Sequence, residues 1–208
     1  MTKVVLPALL LAVGLTQSPA FGGTVGWEFT SVGLSANNGN YTLGEIFTPT
    51  QAITVDALGY YDNGCADCLR TDHLVGIFDA TGTLLGSTTI TASSTDVGHF
   101  AYNPVGPIDL IAGQTYVLEG VSGTVDLYVY NDPGFTASAL ITISGFNYFL
   151  DSGALDFNGI TPAADPKADA YWGPNFEFDG TTTPEPGSLT LIGTGLLCLG
   201  GIVRRKLS

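Results

Sequence analysis

Residues 73–90 read HLVGIFDATGTLLGSTTI. Two runs rich in aliphatic and β-branched residues flank Asp79-Ala80-Thr81-Gly82. An Asp at the head of such a segment folds its side chain back onto the turn, and a Gly at its end supplies the positive φ that a tight hairpin needs. The stretch therefore predicts two antiparallel strands joined by a turn. The same texture extends in both directions. Short alternating or β-branched runs lie at 25–30, 41–47, 53–61, 98–102, 115–120, 127–130, 141–144, 147–150 and 175–178. Turn residues separate them, with a second clear turn at Ala112-Gly113-Gln114, and no run has the 3.6-residue period of an amphipathic helix. Many short strands punctuated by turns predict an all-β fold, an antiparallel β-sandwich of jelly-roll-like kind over residues 21–180. Residues 151–169 carry little pattern and read as a loop.

The two ends read differently. Lys3, an apolar run over 4–15 and the small residues Ser18-Pro19-Ala20 have the layout of a secretory signal peptide, residues 1–20. Residues 181–188 form a polar linker containing Pro184-Glu185-Pro186. An uncharged apolar run over 189–203 follows, then Arg204-Arg205-Lys206. That run is slightly short of the ~20 residues that span a bilayer comfortably, and the basic cluster would stay cytoplasmic. Residues 189–208 thus predict a single transmembrane helix with a basic tail.

The order Pro-Glu-Pro, apolar helix, basic cluster resembles the PEP-CTERM sorting signal. The resemblance implies an exosortase, a membrane-embedded sorting protease, as partner. It also implies an inner-membrane precursor and release of the body to the cell surface or extracellular matrix. Two prolines forbid helix continuation, which keeps the backbone at the membrane surface extended for a protease. Ala57-Leu58-Gly59-Tyr60-Tyr61-Asp62, the run 73–79, Gly82-Thr83-Leu84-Leu85, the run 110–116 and Gly173-Pro174-Asn175-Phe176 resemble the β-sandwich body common among PEP-CTERM proteins. In those bodies the segment between the first two motifs is an Asp- and Gly-rich loop ending in Gly-Leu. Here Cys68 directly precedes Leu69.

Charge excludes several functions. Of 19 acidic residues only Glu185 lies outside 21–183, and of six cations only Arg70 and Lys167 lie inside, so the body carries 2 − 18 = −16. Such a surface cannot neutralise nucleic-acid phosphates and disfavours anionic lipid. It favours solubility and divalent cations.

Cys65 and Cys68 read as a local disulfide, since the implied compartment is oxidising and no second pair exists to complete a zinc site. Asp62, Asn63, Asp67 and Asp72 crowd the same loop. They read first as a solvated acidic loop held by the disulfide, and alternatively as a Ca²⁺ site, the one cofactor the sequence offers. His73 reads as a structural imidazole at a strand start.

No catalytic residue can be nominated. There is no Gly-x-Ser-x-Gly elbow, His-Glu-x-x-His pair or phosphate-binding loop. With this many acids, a carboxylate pair at glycosidase spacing would arise by chance. Among the tyrosines and tryptophans, Tyr171-Trp172, in a loop-like stretch, reads as the best candidate for stacking on a sugar. The expectation is a non-enzymatic exported surface or matrix protein associated with biofilm or exopolysaccharide. The alternatives are a carbohydrate-binding module, calcium-assisted or not, and a hydrolase of matrix polymers.

Overall fold

The computed structural model describes residues 23–180, apart from 38, 66, 67, 133, 151, 152, 158 and 161–169. The expected signal peptide, linker and transmembrane tail lie outside the described residues. The described part is all-β, with no helix.

Two five-stranded antiparallel sheets form the body. The first has the order β1 (Thr24–Val25), β15 (Pro174–Gly180), β5 (Ile53–Tyr61), β9 (Phe100–Leu110), β8 (Thr95–Val97). The second has the order β13 (Ile141–Leu150), β4 (Tyr41–Pro49), β10 (Tyr116–Val121), β6 (His73–Asp79), β7 (Leu84–Ile90). Two small sheets close one end of the sandwich: β14 (Tyr171–Trp172), β11 (Tyr128–Tyr130) and β3 (Leu34–Ala36), and the pair β12 (Phe135–Ala137) and β2 (Trp27–Phe29).

The hairpin that organises residues 73–90 forms as its sequence requires. Asp79 Oδ1 accepts hydrogen bonds from Thr81 N–H, the Thr81 hydroxyl and Thr83 N–H at 2.7–2.9 Å. Gly82 takes φ +89°. The Thr81 hydroxyl, with the Thr83 and Thr81 backbone, holds the Asp79 carboxyl below its ordinary pKa.

Alternation along the strands sends one side chain in two into the space between the large sheets. Phe47, Val75, Ile77 and Leu118 from one sheet meet Val55, Leu58, Phe176 and Phe178 from the other, all buried, while Tyr102, completely buried as well, lies on the other face of the first sheet. Each such side chain contributes ~1.5–3 kcal/mol of burial. Gly59 admits the Tyr102 ring directly opposite it, where a Cβ would lie 2.5 Å from the ring. On the outer face of the second sheet Leu155 and Phe157, from the expected loop, cover Ile46, Phe78 and Val117.

Three expectations need correction. The run 25–30 is two strands in different sheets, because Gly26 packs against the Phe176 ring and donates to the Phe176 carbonyl, turning the chain. The run 98–102 continues to Leu110 despite Pro104 and Pro107. Both prolines fall where β5 bulges between Val55 and Ala57, and β8 pairs only as far as Tyr102, so their missing N–H groups break no ladder. The runs 141–144 and 147–150 are one strand, joined across a bulge at Ser144.

Candidate functional site

Two clefts lie where the sheets give way to loops. The first is built by the chain leaving β5. Asn63 and Gly64 both take φ +66° and turn the loop sharply. The turn is tied by Asp62 Oδ1, which accepts from Gly64 N–H at 2.9 Å, and by the Tyr61 hydroxyl, which donates to Asn63 Oδ1 at 2.8 Å. Cys65 and Cys68 are disulfide-bonded, with Cα atoms 5.6 Å apart. Opposite stands the segment between β10 and β11. Between them is a cleft of about 320 Å³ whose lining includes Asp62, both cysteines, Arg70 and Asp126.

Asp126 was not nominated by any motif, yet it organises this region. Its Oδ1 accepts from Arg70 N–H at 2.9 Å. Its Oδ2 accepts from Thr71 N–H at 2.8 Å, from the Thr71 hydroxyl, and from His73 Nε2 at 3.0 Å. Burial pushes this carboxyl up, but the donors from Thr71, Arg70 and His73 outweigh it and leave the group below its ordinary range. His73 is completely buried, donates from Nδ1 to the Val121 carbonyl at 2.9 Å, and stacks on Tyr60 at 3.9 Å with the rings nearly parallel. It is the structural imidazole that its position implied.

Asp62 behaves in the opposite sense. Burial, then a hydrogen bond that its protonated form gives to Asp96 and the charge of Asp96, raise its carboxyl to about 7. Of the four loop residues considered for Ca²⁺, the three described ones stand in different environments. Asp62 is buried and holds its proton near neutrality, Asn63 has its oxygen engaged by Tyr61, and Asp72 is exposed. Asp67 lies outside the described residues. Among the described residues no three His, Cys, Asp or Glu side chains are placed to share a metal ion.

The second cleft, of about 220 Å³, is lined by Tyr41, Leu43, Tyr128, Tyr148 and Tyr171. β4 and β13 present Tyr41, Leu43 and Tyr148 on one face, since Leu43 pairs with Tyr148. β11 and β14 bring Tyr128 and Tyr171 across from them. The rings meet edge to face: Tyr41 with Tyr148 at 6.0 Å, Tyr148 with Tyr171 at 4.9 Å, Tyr128 with Tyr171 at 6.0 Å. Tyr148 is 51% exposed.

The pair Tyr171-Trp172 is thereby split. β14 is a strand, so its two side chains point to opposite faces. Tyr171 faces the cleft, whereas Trp172 is completely buried, stacked on Phe135 at 3.9 Å and tilted against Trp27 at 5.6 Å. Its indole belongs to the core and cannot meet a dissolved sugar. Tyr41 was missed, and its only sequence signal is its alternation with Leu43.

Elsewhere, burial and Asp56 raise the Glu177 carboxyl to about 7, and burial and Glu119 raise that of the completely buried Glu45. The family model described as "Domain of unknown function (DUF4082)" matches residues 29–172, more than half of the chain. The chain belongs to the DUF4082 family. The DUF4082 match runs from the end of β2 to the end of β14 and so contains both clefts. Beyond it, residues 182–206 match the PEP-CTERM protein-sorting motif. This match includes Pro184-Glu185-Pro186 and Arg204-Arg205-Lys206. The DUF4082 body is thus carried by an exosortase-sorted, exported, membrane-anchored precursor, and the motif is consistent with a C-terminal transmembrane segment. No curated protein matches the chain.

Proposed function

We propose that this protein is a non-enzymatic component of the cell surface or extracellular matrix, released from its anchor by the exosortase and associated there with exopolysaccharide in biofilm. In this reading residues 1–20 direct export and are removed, and cleavage near Pro184-Glu185-Pro186 frees the body. The observation that carries the proposal is the sorting motif over residues 182–206. The body's charge fits a soluble, self-repelling matrix protein.

A hydrolase would need two carboxylates with pKa values pushed apart. Asp62 and Asp126 meet that description within one cleft. Both oxygens of Asp126, however, are occupied by backbone, Thr71 and His73 donors, which leaves it positioning the loop. That engagement favours a binding role over a catalytic one.

The test is expression of the full chain in paired hosts with and without the exosortase, with intact mass read in membrane, surface and medium fractions. A body lacking residues 189–208 in surface or medium fractions, only where the exosortase is present, is the expected result. Persistence of the intact precursor in both hosts overturns the release step. Release without enrichment in the polysaccharide fraction overturns the matrix association.

A further inference from the structure

We propose that the cleft lined by Tyr41, Leu43, Tyr128, Tyr148 and Tyr171 is a binding site for a neutral polysaccharide, holding one sugar ring of the chain. This rests on the glycan association proposed above and assigns it to a place. Tyr148, Tyr41 and Tyr171 supply ring surface and hydroxyl groups at the opening, over a floor that includes the buried Leu43 and Tyr128. A pyranose has the matching surface, with C–H faces and hydroxyl edges. The volume, about 220 Å³, is below the ~300–1,000 Å³ of drug-sized sites and suits a single ring.

Tyr148 is the exposed member, and edge-to-face contacts with Tyr171 and Tyr41 hold its ring in place. Gly173 lies behind the cleft, within about 3 Å of Leu43 and the Tyr60 ring for any added Cβ, so its lack of a side chain lets the floor close. The described part of the β13–β14 connection does not cover the opening, because Leu155 and Phe157 pack on the other face of the sheet.

Charge selects the class of polymer. Among the described residues no cation lines the cleft, and residues 21–183 carry 2 − 18 = −16, which repels uronates and other anionic glycans.

The test is affinity electrophoresis of the full chain, purified in a detergent without a sugar headgroup, through gels containing dextran, a β-1,3-glucan, a mannan or alginate. Retardation is expected in at least one neutral polymer and not in alginate. Tyr148→Ala should weaken it at least tenfold, Tyr148→Trp should retain it, and Ile111→Ala, an exposed change at the other end of the sheets, should leave it unaltered. Thermal melting confirms that each variant is folded. Retardation undiminished in Tyr148→Ala removes this cleft but leaves glycan association standing. Absence of retardation in every neutral polymer, or preference for alginate, overturns the proposal outright.

Discussion

Replacing Asp126 by Asn tests whether one carboxylate holds the disulfide loop to the sandwich. The carboxylate accepts four hydrogen bonds from Arg70, Thr71 and His73 on a side chain that is almost completely buried. An amide of the same shape keeps one oxygen. Its NH₂ must then face either the Arg70 N–H or the three donors now on Oδ2. In the milder case one charge-assisted bond is lost, two donors are set against each other, and His73 loses its anionic partner. Hydrogen bonds to charged groups contribute ~1.5–3 kcal/mol each, and breaking a buried pair costs ~3–5 kcal/mol. We expect a loss of ~3–5 kcal/mol, on the order of 10 °C in Tm for a body of this size. Calorimetric unfolding at pH 7 measures it. The pH dependence supplies a second check. The folded carboxyl sits below its ordinary range, so its contribution is full above the unfolded value of ~3.9 and fades as pH falls through the folded pKa. The gap between wild type and Asp126→Asn should therefore shrink in acid. A loss under ~1 kcal/mol at pH 7, or a gap that widens in acid, would refute the anchoring role.

Other outcomes follow from the same geometry. The Cys65–Cys68 bond closes so short a loop in the unfolded chain that reducing it should cost only ~2 kcal/mol, a fall of about 4–8 °C in Tm without global unfolding; calorimetry with and without reductant reads this. Asp62, raised to about 7, contributes stability that is complete below the unfolded carboxylate pKa and is lost as pH rises through 7. Asp62→Asn should thus flatten the decline in urea midpoint between pH 5 and pH 8, and an unchanged slope would count against the assignment. Gly82→Ala places a Cβ against the Phe157 ring at a φ of +89°, and should cost ~1–3 kcal/mol by thermal unfolding.

Legibility in the sequence tracked the range of the interactions involved. The 79–82 turn is readable because every bond Asp79 makes lies within four residues of it. The disulfide was readable from its spacing and implied compartment and His73 from its place at a strand start, although the partners of His73, Val121, Asp126 and Tyr60, are remote in sequence. Trp172 was not, since its burial depends on Phe135 and Trp27, which no local pattern connects to it. The tyrosine cleft draws on β4, β11, β13 and β14, so neither Tyr41 nor Tyr148 announces its partners. Pro104 and Pro107 are accepted because the β5–β9 ladder breaks register between Ala57↔Pro104 and Val55↔Ile108 and β8 pairs only as far as Tyr102, neither of which local sequence shows. Asp126, one acid among many, carried no signal until its donors were seen to converge.

The course of β15 gives the molecule a top and a bottom. The strand begins at Pro174, beside Tyr60, and ends at Gly180, beside Ile53. Only three residues separate Gly180 from Pro184, a reach of ~14 Å when extended. Tyr171 and the Tyr61–Asp62 corner sit at the opposite pole, ~20 Å away along the strand. The sorting motif therefore joins the body at the end away from both clefts.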